Sequence, residues 1–232
     1  FINPQFQHAM YFPQIANVRN PRLLQSMIGY LKQHPKVEFI EHCPIEQFNI
    51  VNGKVQSIRS QNKQTYFADQ FVITTGAWSK HWSEQLDLDI PVQPVQGQMV
   101  LFKTPQNWLP TMCMNKVMYL IPRLDGHVVC GSSMANCGFD TTPTAATKQT
   151  ILEACFEMVP ELAAFPIVKQ WAGLRPSSPT GVPYIGKMPE LDNVWANFGH
   201  FRNGLCMGPA SARLLRQLML EQPTCVDPAT FI

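Results

Sequence analysis

The chain has 232 residues, 45% of them hydrophobic and 15% charged, and its formal net charge is +2. That length allows one large domain or two small ones, and the apolar content excludes a globally disordered chain. The small charge argues against a nucleic-acid or membrane-surface role, and no apolar run approaches the roughly 20 residues that span a bilayer.

The chain opens at Phe1 without a signal-peptide pattern, so an upstream part of a longer protein is expected to precede it. Its seven cysteines, Cys43, Cys113, Cys130, Cys137, Cys155, Cys206 and Cys225, include no C-x-x-C pair. That scatter among apolar neighbours predicts buried free thiols in a reducing cytoplasm, not a zinc site or a disulfide framework.

In chain order, apolar residues at 23, 24, 27, 28 and 31 give helical spacing over Arg22–Gln33, started by Asn20-Pro21. Val37–Glu41 is short and β-rich. Ile45–Val51 and Lys54–Ser60 flank Asn52-Gly53, whose positive φ preferences predict a type I′ hairpin. Phe71–Thr75 reads as an apolar strand covered on both faces, ending at Gly76-Ala77-Trp78. Beyond Asp89 the texture changes. Prolines 91, 94, 105 and 110 punctuate extended stretches that include Gly97–Lys103. A second hairpin is predicted over Lys116–Arg123 and His127–Gly131, turning at Asp125-Gly126. A helix at Thr144–Met158 and a strand at Ile167–Leu174 complete a block that reads as an antiparallel sheet. The last block offers a strand at Asn193–Phe198 and a helix from about Gly208-Pro209 to Glu221.

Four places have residues suited to chemistry. In Trp171–Pro176 (WAGLRP), Arg175 at a strand end suits either a solvated loop charge or a two-pronged clamp on a carboxylate. In Gly199–Pro209 (GHFRNGLCMGP), glycines permit close approach to a flat or charged ligand, and the following helix offers free N–H groups. A simple strand-to-helix turn reads equally well, and no GxGxxG or P-loop spacing is present. Thr74–Ser79 (TTGAWS) is another strand-end glycine with an aromatic residue. Tyr119 is a sheet tyrosine whose phenol suits a ligand or an ordinary half-buried position.

Taken together, WAGLRP, Gly181–Gly186 (GVPYIG) and GHFRNG before a helix resemble the C-terminal signature of FAD-dependent glycine oxidases in the D-amino-acid oxidase superfamily. TTGAWS, the HCPI segment at His42–Ile45 and Gly97–Met99 (GQM) fall in the same order, so the resemblance covers the whole chain. It implies an α/β plus α+β fold: an incomplete glutathione-reductase-type FAD-binding domain (residues 1–88 and 174–232) and an antiparallel-sheet substrate domain (residues 89–173).

The resemblance also implies roles. Arg175 would bind the substrate carboxylate with help from Tyr119, and Arg202 would add a second cation. His200, Phe201, Asn203, Gly204 and Leu205, with Gly199, would approach the flavin. Gly76, Ala77 and Trp78 would lie against the cofactor phosphates or ribityl chain, and Ile45 would line its adenosine part. FAD is the implied cofactor, a small amino acid the substrate and dioxygen the acceptor; a homo-oligomer is allowed, with no nucleic acid and no membrane insertion. The implied reaction is oxidative deamination of glycine or a similar amine, with hydrogen peroxide formed and the imine supplied to the thiazole of thiamine. Quinone-linked D-amino-acid dehydrogenases and sarcosine oxidase-like enzymes share the pattern, and a non-catalytic carboxylate-binding module is the reading from another class. The family's strand–GxGxxG–helix unit is not in these residues, so its place is expected upstream of Phe1 and the chain alone is expected to be inactive.

Overall fold

A computed structural model describes residues 1–231. The first half of the chain forms α1 (Asn20–Leu31), β1 (Ile45–Val51), β2 (Lys54–Ser60), β3 (Thr65–Tyr66), β4 (Phe71–Ile73), a 3-10 turn (Gly76–Trp82), α2 (Ser83–Leu86), β5 (Gln93–Lys103) and β6 (Cys113–Met114). The second half forms β7 (Tyr119–Arg123), β8 (His127–Gly131), α3 (Ala145–Met158), β9 (Ile167–Ser177), β10 (Tyr184–Lys187), β11 (Val194–Phe198) and α4 (Gly204–Met219). No helix among the described residues is long and apolar enough to cross a membrane.

Two compact units result. The first joins Phe1–Asn17 to Pro94–Leu174, and the second joins Val18–Gln93 to the chain from Arg175 onward. Residues 1–17 thus group with the 94–174 block, whereas the sequence reading placed them with the rest of 1–88. The physical reason is local anchoring. The Phe1 ring meets Trp108 edge-on at 5.5 Å, and the Asn3 N–H donates to the Met158 carbonyl at 2.9 Å.

The first unit is a five-stranded sheet in the order β6-β7-β8-β5-β9. β5, β7 and β8 pair antiparallel, and alternate side chains choose opposite faces. Val100, Phe102, Leu120, Val128 and Cys130 turn toward Ile151, Cys155 and Met158 of α3, forming the core. Thr144 caps α3, its hydroxyl accepting from the Thr147 N–H at 3.2 Å. The β7–β8 turn has Gly126 at φ +73°, closing the loop between paired Arg123 and His127. Residues 116–118 stay outside the strand because the Asn115 side chain accepts from the Val117 and Met118 N–H groups instead.

In the second unit, β1, β2 and β3 form one sheet, and β10, β11 and β4 form another. Asn52 (φ +49°) and Gly53 (φ +72°) make the two-residue turn between β1 and β2. Trp82, Leu86, Ile90, Met188 and Leu191 pack between this hairpin and Phe71, Ile73, Val194, Ala196 and Phe198. α4 places Leu214 and Leu215 on the other face, against Ile185 and Trp195. Buried Asn193 ties the two sheets together. Its Oδ1 accepts from the Val55 N–H at 2.9 Å, and its Nδ2 donates to the Val55 and Asp69 carbonyls at 2.8 and 3.2 Å.

The remaining departures from sequence expectation have local causes. Val37–Glu41 forms no strand; no neighbouring strand pairs with it, and the Lys32–Glu41 ion pair spans an irregular loop instead. Phe71–Ile73 is buried on alternate residues only, since Val72 is 41% exposed, so the strand is not covered on both faces. α4 begins at Gly204, a turn before Pro209, and the proline sits inside the helix instead of opening it. Of the cysteines, all free, Cys113, Cys130 and Cys155 are buried while Cys137, Cys206 and Cys225 are exposed, correcting the uniformly buried expectation. A hydrogen bond between the Cys130 and Cys155 thiols, together with burial, pushes the Cys130 pKa up and keeps that thiol protonated.

Asn193→Ala leaves the N–H and C=O of buried Val55 without partners, each worth about 1–3 kcal/mol. The expected outcome is a loss of about 2–4 kcal/mol in urea unfolding at an unchanged slope.

Candidate functional site

β4 and β11 run parallel, with Phe71, Val72 and Ile73 opposite Val194, Trp195 and Ala196. Their carboxyl ends therefore lie at one end of the sheet, where open α/β sheets hold ligands. From β4 the chain enters Gly76, at φ +58°, then buried Ala77 and Trp78, which is 56% exposed. The Ser79 hydroxyl donates to the Gly76 carbonyl at 2.8 Å and fixes this turn.

From β11 the chain enters Gly199, at φ +83°, where a Cβ would lie 3.2 Å from the Tyr184 ring. The next residues are clasped to the segment after Arg175. The Phe201 N–H (φ +49°) donates to the Pro176 carbonyl at 2.8 Å, and Ser177 bridges His200. Asn203 donates its N–H back to the His200 carbonyl at 3.0 Å. Half-buried Arg175 and exposed Arg202 thus stand on one clasp, each beside a residue of the Pro176–Phe201 bond.

α4 starts at Gly204, whose added Cβ would come 3.2 Å from that of His200. The N–H groups of its first turn have no intrahelical acceptor and form the positive end of the helix dipole. Exposed Leu205 is in that turn, with the first helical bond running from the Met207 N–H to the Asn203 carbonyl. The His200 ring pairs through Nε2 with the Ser211 hydroxyl at 2.9 Å. Burial lowers its pKa, so the ring is neutral at physiological pH. Two buried side-chain oxygens have no partner among the described residues, Ser178 Oγ and Asn197 Oδ1. Both lie in the segments that lead into this end of the sheet.

In the first unit, Tyr119, Gly131 and Met99 face one another across β7, β8 and β5. The Tyr119 hydroxyl reaches over Gly131 and donates to the Met99 sulfur at 3.2 Å. A thioether is a weak acceptor, so this hydroxyl is free to move to a stronger one. A Cβ on Gly131 would overlap the Met99 sulfur and crowd the hydroxyl. Ile45, expected along a ligand, is half-buried and packs on the second unit's core.

The structure therefore groups Gly76–Trp78, Gly199–Leu205, Arg175 and Arg202 in the second unit and places Tyr119 in the first. Sequence reading missed Ser211, Ser178, Asn197 and Gly131. Ser211 lies 11 residues after His200 with no local signal. Gly131 had one, as a glycine closing an apolar strand run.

These features define the class. The chain matches the family described as FAD dependent oxidoreductase (DAO) over residues 2–218 and belongs to it. Within the class it is similar to the glycine oxidase of Pseudomonas putida, at 42% identity over 230 residues, which covers 99% of this chain and 63% of that protein. It is 28% identical to the Bifunctional protein ThiO/ThiG of Nostoc sp., over 94% of this chain and 32% of that one. The crystal structure of glycine oxidase from Geobacillus kaustophilus superposes with a TM-score of 0.77 at 25% identity, covering 83% of this chain and 52% of that one. The chain thus spans less than two thirds of the length of these relatives.

The residues present fit a flavin. An added Cβ at Gly76 would meet nothing within 4 Å, which leaves room for a flat ligand, first-turn N–H donors of α4 suit carbonyl oxygens, and two buried side-chain oxygens have no partner among the described residues.

Gly131→Ala is expected to cost about 1–3 kcal/mol through overpacking and to push the Tyr119 hydroxyl off Met99. Thermal unfolding measures the first effect and a crystal structure of the variant the second. For His200, the folded pKa lies below the ordinary 6.5, so the neutral ring is the stabilising form. Its contribution is present above pH 6.5 and is lost as pH falls from there through the folded value. His200→Gln, which cannot titrate, is expected to flatten this part of the stability–pH curve.

Proposed function

We propose that the protein to which these residues belong catalyses FAD-dependent oxidative deamination of glycine or another small amino acid, supplying the imine for the thiazole of thiamine. The observation that carries this reading is the meeting of Gly76–Trp78, Gly199–Leu205 and the N-terminus of α4 at the carboxyl ends of two parallel strands. The similarity to glycine oxidases and to a ThiO/ThiG protein supports the substrate and the pathway.

Bound FAD supplies the two-electron acceptor for amine oxidation, with dioxygen as terminal oxidant and hydrogen peroxide as by-product. The chain's own residues bind and orient. Gly199–Leu205 and Gly76–Trp78 would hold the flavin and its chain, and the N–H groups of α4 would stabilise negative charge at the pyrimidine end. The Arg175 guanidinium would take the substrate carboxylate in two parallel hydrogen bonds, and the Tyr119 hydroxyl, held by a weak sulfur acceptor, is suited to donate to a carboxylate. Arg202 adds positive charge near the same clasp. Fixing the carboxylate leaves the α-carbon little rotational freedom, which removes much of the search for a reactive pose. The amine must be unprotonated, and no side chain of the chain is needed as a nucleophile. The regions 1–88 and 174–232 serve the cofactor in this reading and 89–173 the substrate, with residues 1–17 joining the latter by packing.

The test is spectroscopic. Protein extended to its relatives' full length and loaded with FAD is expected to bleach on anaerobic addition of glycine and recover its colour in air. Arg175→Leu is expected to lower kcat/KM by about 100-fold or more, as truncation of a buried hydrogen-bonded charge pair does. Failure of every small amino acid to bleach bound FAD overturns the reading.

A further inference from the structure

We propose that His200 and Ser211 form a positioning pair that aims the first turn of α4 at the flavin. By doing so the pair sets how readily the bound flavin accepts electrons. The inference rests on the reading of that turn as the part of the chain facing the flavin's pyrimidine end.

The front of α4 has little of its own to hold it in place. Asn203 stands at the N-cap, yet its side chain makes no capping bond to the first-turn N–H groups. On α3, by contrast, Thr144 makes such a bond. Gly204 and Gly208 add backbone freedom that works against a helix. The buried side chains of α4 are Ser211, Leu214, Leu215 and Gln217, so all of them lie at or beyond Ser211. Residues 204–210 therefore draw no support from the core. The bond from the Met207 N–H to the Asn203 carbonyl at 2.9 Å shapes the turn but does not fix its direction.

The His200 side chain supplies the missing support. It leaves the chain ahead of the helix, and its Nε2 meets the Ser211 hydroxyl at 2.9 Å. Gly204, Gly208 and Ser211 have the spacing that puts residues on one helix face, so no larger side chain stands in the way. A Cβ on Gly204 would lie 3.2 Å from that of His200 and 4.0 Å from its Cγ. The pair thus closes a loop around the first turn. His200 is held at one end by its bridge to Ser177, and Ser211 at the other by burial. Burial keeps the His200 ring neutral, so its influence on the flavin passes through the direction of the helix and not through a charge of its own. Negative charge on a reduced flavin is stabilised by a helix N-terminus only at close range, with the N–H groups pointing at it. A misdirected first turn therefore makes the flavin harder to reduce, although no group that touches substrate has changed.

The test uses protein extended to its relatives' full length and loaded with FAD. Ser211→Ala and His200→Asn, whose side chain is too short to reach, are expected to lower the two-electron reduction potential by ~30 mV, a tenfold change in equilibrium constant. Sulfite adds to oxidised flavin and leaves negative charge on the same end of the ring. It is expected to bind about tenfold more weakly to both variants. His200→Gln, which places an amide where Nε2 stands, is expected to keep the original values. Leu214→Ala, which opens a cavity in the core behind the helix, is expected to lower the melting temperature and leave potential and sulfite affinity unchanged. In the protein without FAD, amide hydrogen exchange over Leu205–Met207 is expected to be faster in Ser211→Ala. Unchanged exchange in that variant, or an equal shift of potential from Leu214→Ala, overturns the positioning pair and leaves the flavin reading standing. Faster exchange with unchanged potential and sulfite affinity does the same. Unaltered protein that takes up no FAD overturns the flavin reading and the proposal together.

Discussion

One buried amide orders the second unit. Asn193 takes both backbone groups of Val55 and a third from Asp69, so a single side chain stands in for a missing ladder between two sheets. Its own carbonyl accepts from the Phe71 N–H at 2.8 Å, which starts the parallel pairing of β4 with β11 one residue later. The register of that pairing determines where both strands end. The glycine turns that follow are therefore brought level by a bond well upstream of them. A polar group buried this deeply is destabilising unless every bond is made, and here each is.

Much of this was readable from residue order. Asn52-Gly53 required a two-residue hairpin turn, because few other dipeptides accept two positive φ angles in succession. The 144–158 helix showed its cap and its spacing. The strand-end positions of Gly76 and Gly199 were legible for the same reason, since a glycine that closes an apolar run marks a backbone needing unusual dihedrals. What failed was whatever depended on a distant partner. Val37–Glu41 has strand composition, yet a strand exists only when another pairs with it. Pro209 looked like a helix start, but the helix begins a turn sooner, at Gly204, and carries the proline inside it. Residues 1–17 joined the other unit through Trp108 and Met158, more than 100 positions away, which no local pattern records. The site followed the same rule: its glycines and arginines were visible, whereas Ser211, Ser178 and Asn197 matter only through the fold.

The two units treat polarity differently. In the second, donors and acceptors are concentrated in backbone: the N–H groups of α4, the clasp between Pro176 and Phe201, and the turn at Gly76. Backbone groups cannot swing away, so they suit a cofactor that stays in place. In the first unit the candidate polar group is a side chain on a weak acceptor. A replaceable bond suits a ligand that comes and goes.

Pro209 has a further consequence for α4. Lacking an N–H, it cannot bond back to the Leu205 carbonyl, so the helix has a gap in its ladder just past its first turn. The far part is fixed by Leu214 and Leu215 in the core and by the His200–Ser211 pair, while the near part is tied down by the Met207–Asn203 bond. One helix therefore divides its labour. The rear is an anchor, the front a pointer, and the missing bond is the joint that allows the pointer to be aimed without loosening the anchor.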